Sequence, residues 1–164
     1  MSIKFSDQEP DDKSLQGLGG WLVLIGIATV LTPVGMVLRE QSVYRKVFFE
    51  GNFSSIMARL ATEHPFIPTL ITLELICNIC FFIAWLYLGF LFFSKRKLFP
   101  RFFIWVVILT PVAVLLDSVA IAFTTNVSMF DTETVLGLLK NSIYALITVP
   151  YMLGSKRVQA TFIS

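Results

Sequence analysis

Four long apolar runs divide the chain, at 18–38, 66–93, 102–125 and 135–153, with polar segments between them. A helix rises about 1.5 Å per residue, so about 20 residues cross the roughly 30 Å of hydrocarbon in a bilayer. The pattern predicts four transmembrane helices. The run at 66–93 exceeds that thickness, so its helix should tilt or protrude. The only long connection is 39–65. There Val43, Val47, Ile56, Met57 and Leu60 fall at helical spacings interrupted at Gly51-Asn52. This predicts two short amphipathic helices on the membrane surface. The fold class expected is all-α, a four-transmembrane-helix bundle with amphipathic loop helices between the first two spans. A polar tail at 1–17 precedes it and a second tail at 154–164 follows.

Small residues and prolines refine the spans. Gly17, Gly19 and Gly20 open the first one. They lack the preceding strand and the spacing of a dinucleotide cradle, so close packing at a helix start is the better reading. Gly19, Gly26 and Pro33 recur every seven residues, which suits a close helix contact. Pro33 should kink its helix and free a carbonyl near Thr29. In the third span Thr110, Ala113, Asp117, Ala120 and Thr124 share one face, a packing seam of small residues with one acid. In the fourth, Lys140, Tyr144, Thr148, Tyr151 and Ser155 share a face. LTPVGMVL at 31–38 resembles LTPVAVLL at 109–116. Read as a two-helix duplication, the match sets Arg39 over Asp117.

Composition agrees with a membrane protein. Hydrophobic residues make up 55% of the chain and charged ones 15%, with a mean hydropathy of +0.76. Soluble domains carry about 25% charged residues. The net charge of +2, on scattered basic residues, gives no nucleic-acid footprint. Cys77 and Cys80 form C-x-x-C deep in an apolar run, without the second cysteine pair that a membrane disulfide relay needs, so they read as small apolar fillers. His64 is the sole histidine and has no ligand-type residue at metal-binding spacing. No catalytic constellation and no cofactor are expected.

Charge also orients the chain. Lys95, Arg96, Lys97 and Arg101 crowd the short SKRKLFPR turn, and Lys156 and Arg157 follow the last span. Short Lys/Arg-rich loops stay in the cytoplasm. Both termini are therefore expected in the cytoplasm, with the loop at 39–65 on the outer side and these six basic residues against lipid headgroups. The loop at 126–134, with Asp131 and Glu133 and no basic residue, reads as outside.

Three ionisable residues fall within the apolar runs: Glu74, Asp117 and Lys140. A charge in hydrocarbon costs about 2.5–3.5 kcal/mol on insertion scales, so each needs a partner. Counted inward along each span, all three lie about 9–12 Å below the outer surface. A polar pocket open to the outer face is expected, built from Arg39, Glu74, Asn78, Asp117, Lys140, Asn141 and Tyr144 and roofed by the loop helices.

GLGGWL at 17–22, LEL-x-x-N at 73–78, LLD ending at Asp117 and the closing VPYMLGSKRVQATF at 149–162 together resemble a bacterial inner-membrane family known as domain of unknown function 2569. The resemblance covers nearly the whole chain. It implies four membrane helices and no assigned activity. The matching residues are Glu74, Asn78, Asp117, Lys140, Pro150, Tyr151, Ser155, Lys156 and Arg157. The leading functional reading is a non-catalytic binding or accessory membrane protein. Its partners would be membrane lipid, with a small-molecule ligand or another membrane protein as further candidates. The alternative is a small proton- or cation-coupled carrier using Glu74 and Asp117, working as an oligomer. A membrane enzyme acting on lipid or quinone comes third.

Overall fold

The structure is a computed structural model, and it describes residues 19–45, 53–125 and 132–162. Those residues form six helices: α1 (Trp21–Tyr44), α2 (Phe53–Glu63), α3 (Ile67–Phe93), α4 (Leu98–Thr125), α5 (Thr132–Gly154) and α6 (Lys156–Thr161). Four of them, α1, α3, α4 and α5, hold stretches long and apolar enough to cross a membrane. The protein is a multi-pass membrane protein. The tail at 1–17, the loop centre at 46–52 and the acidic connection at 126–131 lie outside the described residues.

The helix bounds differ from the hydropathy pattern in instructive ways. No helix breaker follows Leu38, and α1 runs on through Tyr44. The first of the two expected loop helices is thus continuous with α1 as far as Tyr44, and its remainder lies outside the described residues. The second is α2, which packs against α3. α4 begins at Leu98, inside the basic turn, because α3 ends abruptly. The N–H of Arg96 reaches the carbonyl of Leu91 and that of Lys95 the carbonyl of Phe92, both at 3.1 Å. Lys95 adopts φ 50°. This is the paired-bond helix stop that glycine usually supplies.

Several threonine and serine hydroxyls inside the spans are satisfied within their own helices. Thr29, Thr32, Thr110, Ser118, Thr124 and Thr148 each donate to the carbonyl four residues earlier, at 2.7–2.9 Å. With no water in hydrocarbon this is their cheapest arrangement, and it leaves them little part in joining helices.

The long helices pack in the order α1, α3, α4, α5, most extensively between α4 and α5. Their fully buried apolar side chains gather at one end. These are Leu22 and Ile25 of α1, Trp85, Leu88, Leu91 and Phe92 of α3, Phe99, Phe103, Val106 and Val107 of α4, and Met152 of α5. We call this the core end and the opposite one the far end. Gly26 lets α1 settle there: a Cβ at that position would lie 2.6 Å from the Phe92 ring. Gly19 leaves room for the guanidinium of Arg157, and Gly20 takes φ +58°, a conformation that costs glycine little.

The segment after α5 folds back onto this core. Ser155 caps α6, its hydroxyl accepting from the N–H of Val158 at 3.4 Å. Val158, Thr161 and Phe162 are buried. The Phe162 ring stacks on Phe99 at 4.7 Å between centroids and lies 5.9 Å from Phe92. Phe162→Ala should therefore destabilise the protein by about 3 kcal/mol, the usual cost of emptying a buried phenylalanine site. Trp105→Ala, at a position 72% exposed, should change stability by less than about 0.5 kcal/mol. Thermal unfolding in a mild detergent checks the contrast.

Candidate functional site

Every described basic residue of the SKRKLFPR turn and of α6 lies at the core end. Lys95, Arg96, Lys97, Arg101 and Lys156 are exposed, and Arg157 is half-buried beside Gly19. The far half is packed differently. Among the described residues no side chain of α3 before Trp85, of α4 after Val107, of α5 before Thr148 or of α1 after Pro33 is buried. All seven expected pocket residues belong to that half.

Ring contacts set their heights. Phe92 and Phe99 meet across the α3–α4 turn at 5.1 Å. Asp117 lies 18 residues beyond Phe99 and Glu74 18 residues before Phe92, so both stand about 27 Å from that contact. Phe103 meets Tyr144 at 6.4 Å and fixes α4 against α5. Asp117 is 14 residues beyond Phe103, about 21 Å, whereas Lys140 is 4 residues before Tyr144, about 6 Å. Lys140 thus sits about 15 Å nearer the core end than Asp117. The equal depths obtained by counting along each span hold for Glu74 and Asp117 and not for Lys140. The count assumed flush helix ends, but α4 has 28 residues and α5 has 23.

The side chains follow suit. Glu74 and Lys140 are exposed, while Asn78, Asp117, Asn141 and Tyr144 are half-buried. No hydrogen bond or ion pair joins Asp117 or Lys140 to another described residue. Arg39, exposed near the far end of α1, and Glu74 each have an interaction partner. The Tyr144 hydroxyl is buried and lacks a hydrogen-bond partner among the described residues. The predicted α4 seam does lie on a covered face: Thr110, Ala113, Asp117, Ala120 and Thr124 are all half-buried.

Two grooves run between helices. One, of about 420 Å³, lies between α1 and α3 and is lined by residues such as Val30, Pro33, Val37, Phe82, Trp85 and Gly89. The other, of about 180 Å³, lies between α1 and α5 and is lined by Trp21, Ile25, Ile147, Thr148 and Tyr151. Neither is lined by any of the seven expected pocket residues.

The family described as Protein of unknown function (DUF2569) matches residues 15–163. The chain belongs to that family. No curated protein and no solved structure matches it. The motifs by which the chain resembles the family now have places. The described residues 19–22 of GLGGWL lead into α1 and receive Arg157 at Gly19. The closing motif is the core end of α5 with its corner and α6. LEL-x-x-N and LLD put Glu74 level with Asp117 on neighbouring helices.

Cys77 and Cys80 are exposed on α3 rather than filling the space between helices, and both are free thiols. Exposed His64 closes α2, its N–H on the Leu60 carbonyl at 2.8 Å. Among the described residues no three of His, Cys, Asp and Glu are grouped to hold a metal ion. The sequence reading missed the lining of the α1–α5 groove. Its signal was there in the spacing of Tyr144, Ile147 and Tyr151, which continues the Lys140 face. Tyr144→Phe should stabilise the ligand-free protein by about 1 kcal/mol, because it removes a buried hydroxyl that bonds nothing. A thermal shift in detergent checks the sign.

Proposed function

We propose that the protein is a non-catalytic binding protein of a bacterial inner membrane, holding its ligand in the polar far half. The observation that carries this reading is the asymmetry of packing. The helices close on an aromatic core at one end, while Asn78, Asp117, Asn141 and the unsatisfied Tyr144 hydroxyl share a half where no described side chain is fully covered. Polar groups at membrane depth need a partner from protein, water or ligand. A purely architectural role would be served better by a closed and fully bonded set.

The basic residues orient the molecule in this reading. Lys95, Arg96, Lys97, Arg101, Lys156 and Arg157 all stand at the core end, which supports reading that end and both termini as cytoplasmic and the far half as outward. Membrane-impermeant thiol reagents applied to intact cells should label a cysteine placed at Ser54 in a Cys77→Ser, Cys80→Ser background and leave one placed at Gln159 unlabelled. The opposite result reverses the orientation.

Binding itself is tested on protein extracted from its membrane in gentle detergent. Native mass spectrometry should detect a retained molecule of defined mass on the wild type. Asp117→Asn combined with Asn141→Leu should lose it at an unchanged melting temperature. No retained mass, or the same mass on the variant, sinks the reading.

A further inference from the structure

Lys140 is the least explained side chain in the membrane-spanning helices. It is exposed, close to mid-height, with no partner among the described residues. Such a cation costs about 2.5–3.5 kcal/mol unless an anion meets it. A second copy of the chain would not supply one at the right depth. Copies related by rotation about the membrane normal keep every residue at its own height. A neighbour's Glu74 or Asp117 would stay about 15 Å above Lys140 by the same helix rise, farther than a lysine reaches.

The helix face that carries Lys140 shows where an anion could come from. Lys140, Tyr144, Ile147 and Tyr151 follow one another at spacings of 4, 3 and 4, so they form one stripe along α5. The lower part of that stripe faces α1 across the groove lined by Trp21, Ile25, Ile147, Thr148 and Tyr151. On α1 the matching stripe runs Trp21, Ile25, Ala28, Thr32, Arg39, at spacings of 4, 3, 4 and 7. The groove sets Ile25 beside Thr148. Measured from there toward the far end, Lys140 lies about 12 Å up α5, Thr32 about 10 Å and Arg39 about 21 Å up α1. The seam between α1 and α5 is thus apolar below and cationic above, and α1 is not among the helices that pack extensively on α5.

We propose that an anionic phospholipid occupies the seam between α1 and α5, with its phosphate at Lys140 below Arg39 and an acyl chain along Trp21, Ile25 and Ile147. Apolar lining alone suits any lipid, and the Lys140 cation selects a negative headgroup. The lipid supplies the charge that no described acid brings to this depth. This assignment rests on the far half being a binding site and names its ligand.

The test titrates the purified full-length protein in detergent with phosphatidylglycerol or with phosphatidylcholine of the same acyl chains, and counts bound lipid by native mass spectrometry. Phosphatidylglycerol should bind at one site about fivefold to tenfold more tightly than phosphatidylcholine, the difference one membrane-facing cation supports. Lys140→Gln should abolish that preference, Lys140→Arg should keep it, and Trp21→Ala should weaken both lipids alike. Equal binding of the two lipids, or an unchanged preference in Lys140→Gln at an unchanged melting temperature, overturns the proposal. If the wild type keeps a ligand from its own membrane that phosphatidylglycerol does not displace, the lipid assignment falls and the binding reading stands. If neither is held, both fall.

Discussion

Phe162 lies face to face with Phe99 and within ring contact of Phe92, which itself meets Phe99 across the α3–α4 turn. These three rings tie the end of the chain to the hairpin at its centre. Gly26 then brings α1 down onto Phe92, and Phe103 carries the contact on to Tyr144 of α5. In hydrocarbon, apolar side chains gain nothing by leaving solvent, so helices associate through close packing of shaped surfaces. Ring stacking and glycine contacts are the means available, and this chain concentrates them at one end.

That concentration explains the other half. A helix satisfies its own backbone, and here the threonine and serine hydroxyls are bonded back within their helices too. Neither the backbone nor those hydroxyls need the far half to close. Among the described residues, Asp117, Lys140 and the Tyr144 hydroxyl remain without a hydrogen bond or ion pair. Asp117 stands level with Glu74 of α3, which has a partner, and Lys140 stands lower on α5, one turn from the Tyr144 hydroxyl, which has no hydrogen-bond partner among the described residues. The charges are graded along the membrane normal, so no single compact cluster forms, and the proposed ligand is one whose polar and apolar parts lie at different depths. An amphiphile with a charged head and an apolar tail has that form.

The basic residues and the aromatic core meet at the same end for a related reason. After Gly154 two adjacent basic residues are followed by apolar Val158 and Phe162 one helical turn apart, so α6 and the residue after it offer both to the core while Lys156 stays in solvent. Arg157 does both, lying against Gly19 at the start of α1. A tail that reads as a cytoplasmic extension is a structural lid on the packed end.

The spacing of apolar residues was enough to determined the four crossing helices, the amphipathic helix before the second of them and the covered face of α4, because length and period are local properties of a helix. The value of Gly26 as a contact point was legible for the same reason. Which residues reach the same depth was not. That depends on the offset between helices, and the offset is decided by where rings meet edge to face: Phe92 against Phe99 keeps Glu74 level with Asp117, while Phe103 against Tyr144 sets Lys140 lower. The exposure of Cys77 and Cys80, the folding back of Phe162 and the groove between α1 and α5 were hidden for one common reason. In a helix that is apolar all round, hydropathy does not distinguish the side that meets protein from the side that meets lipid, and only the packed tertiary structure assigns them.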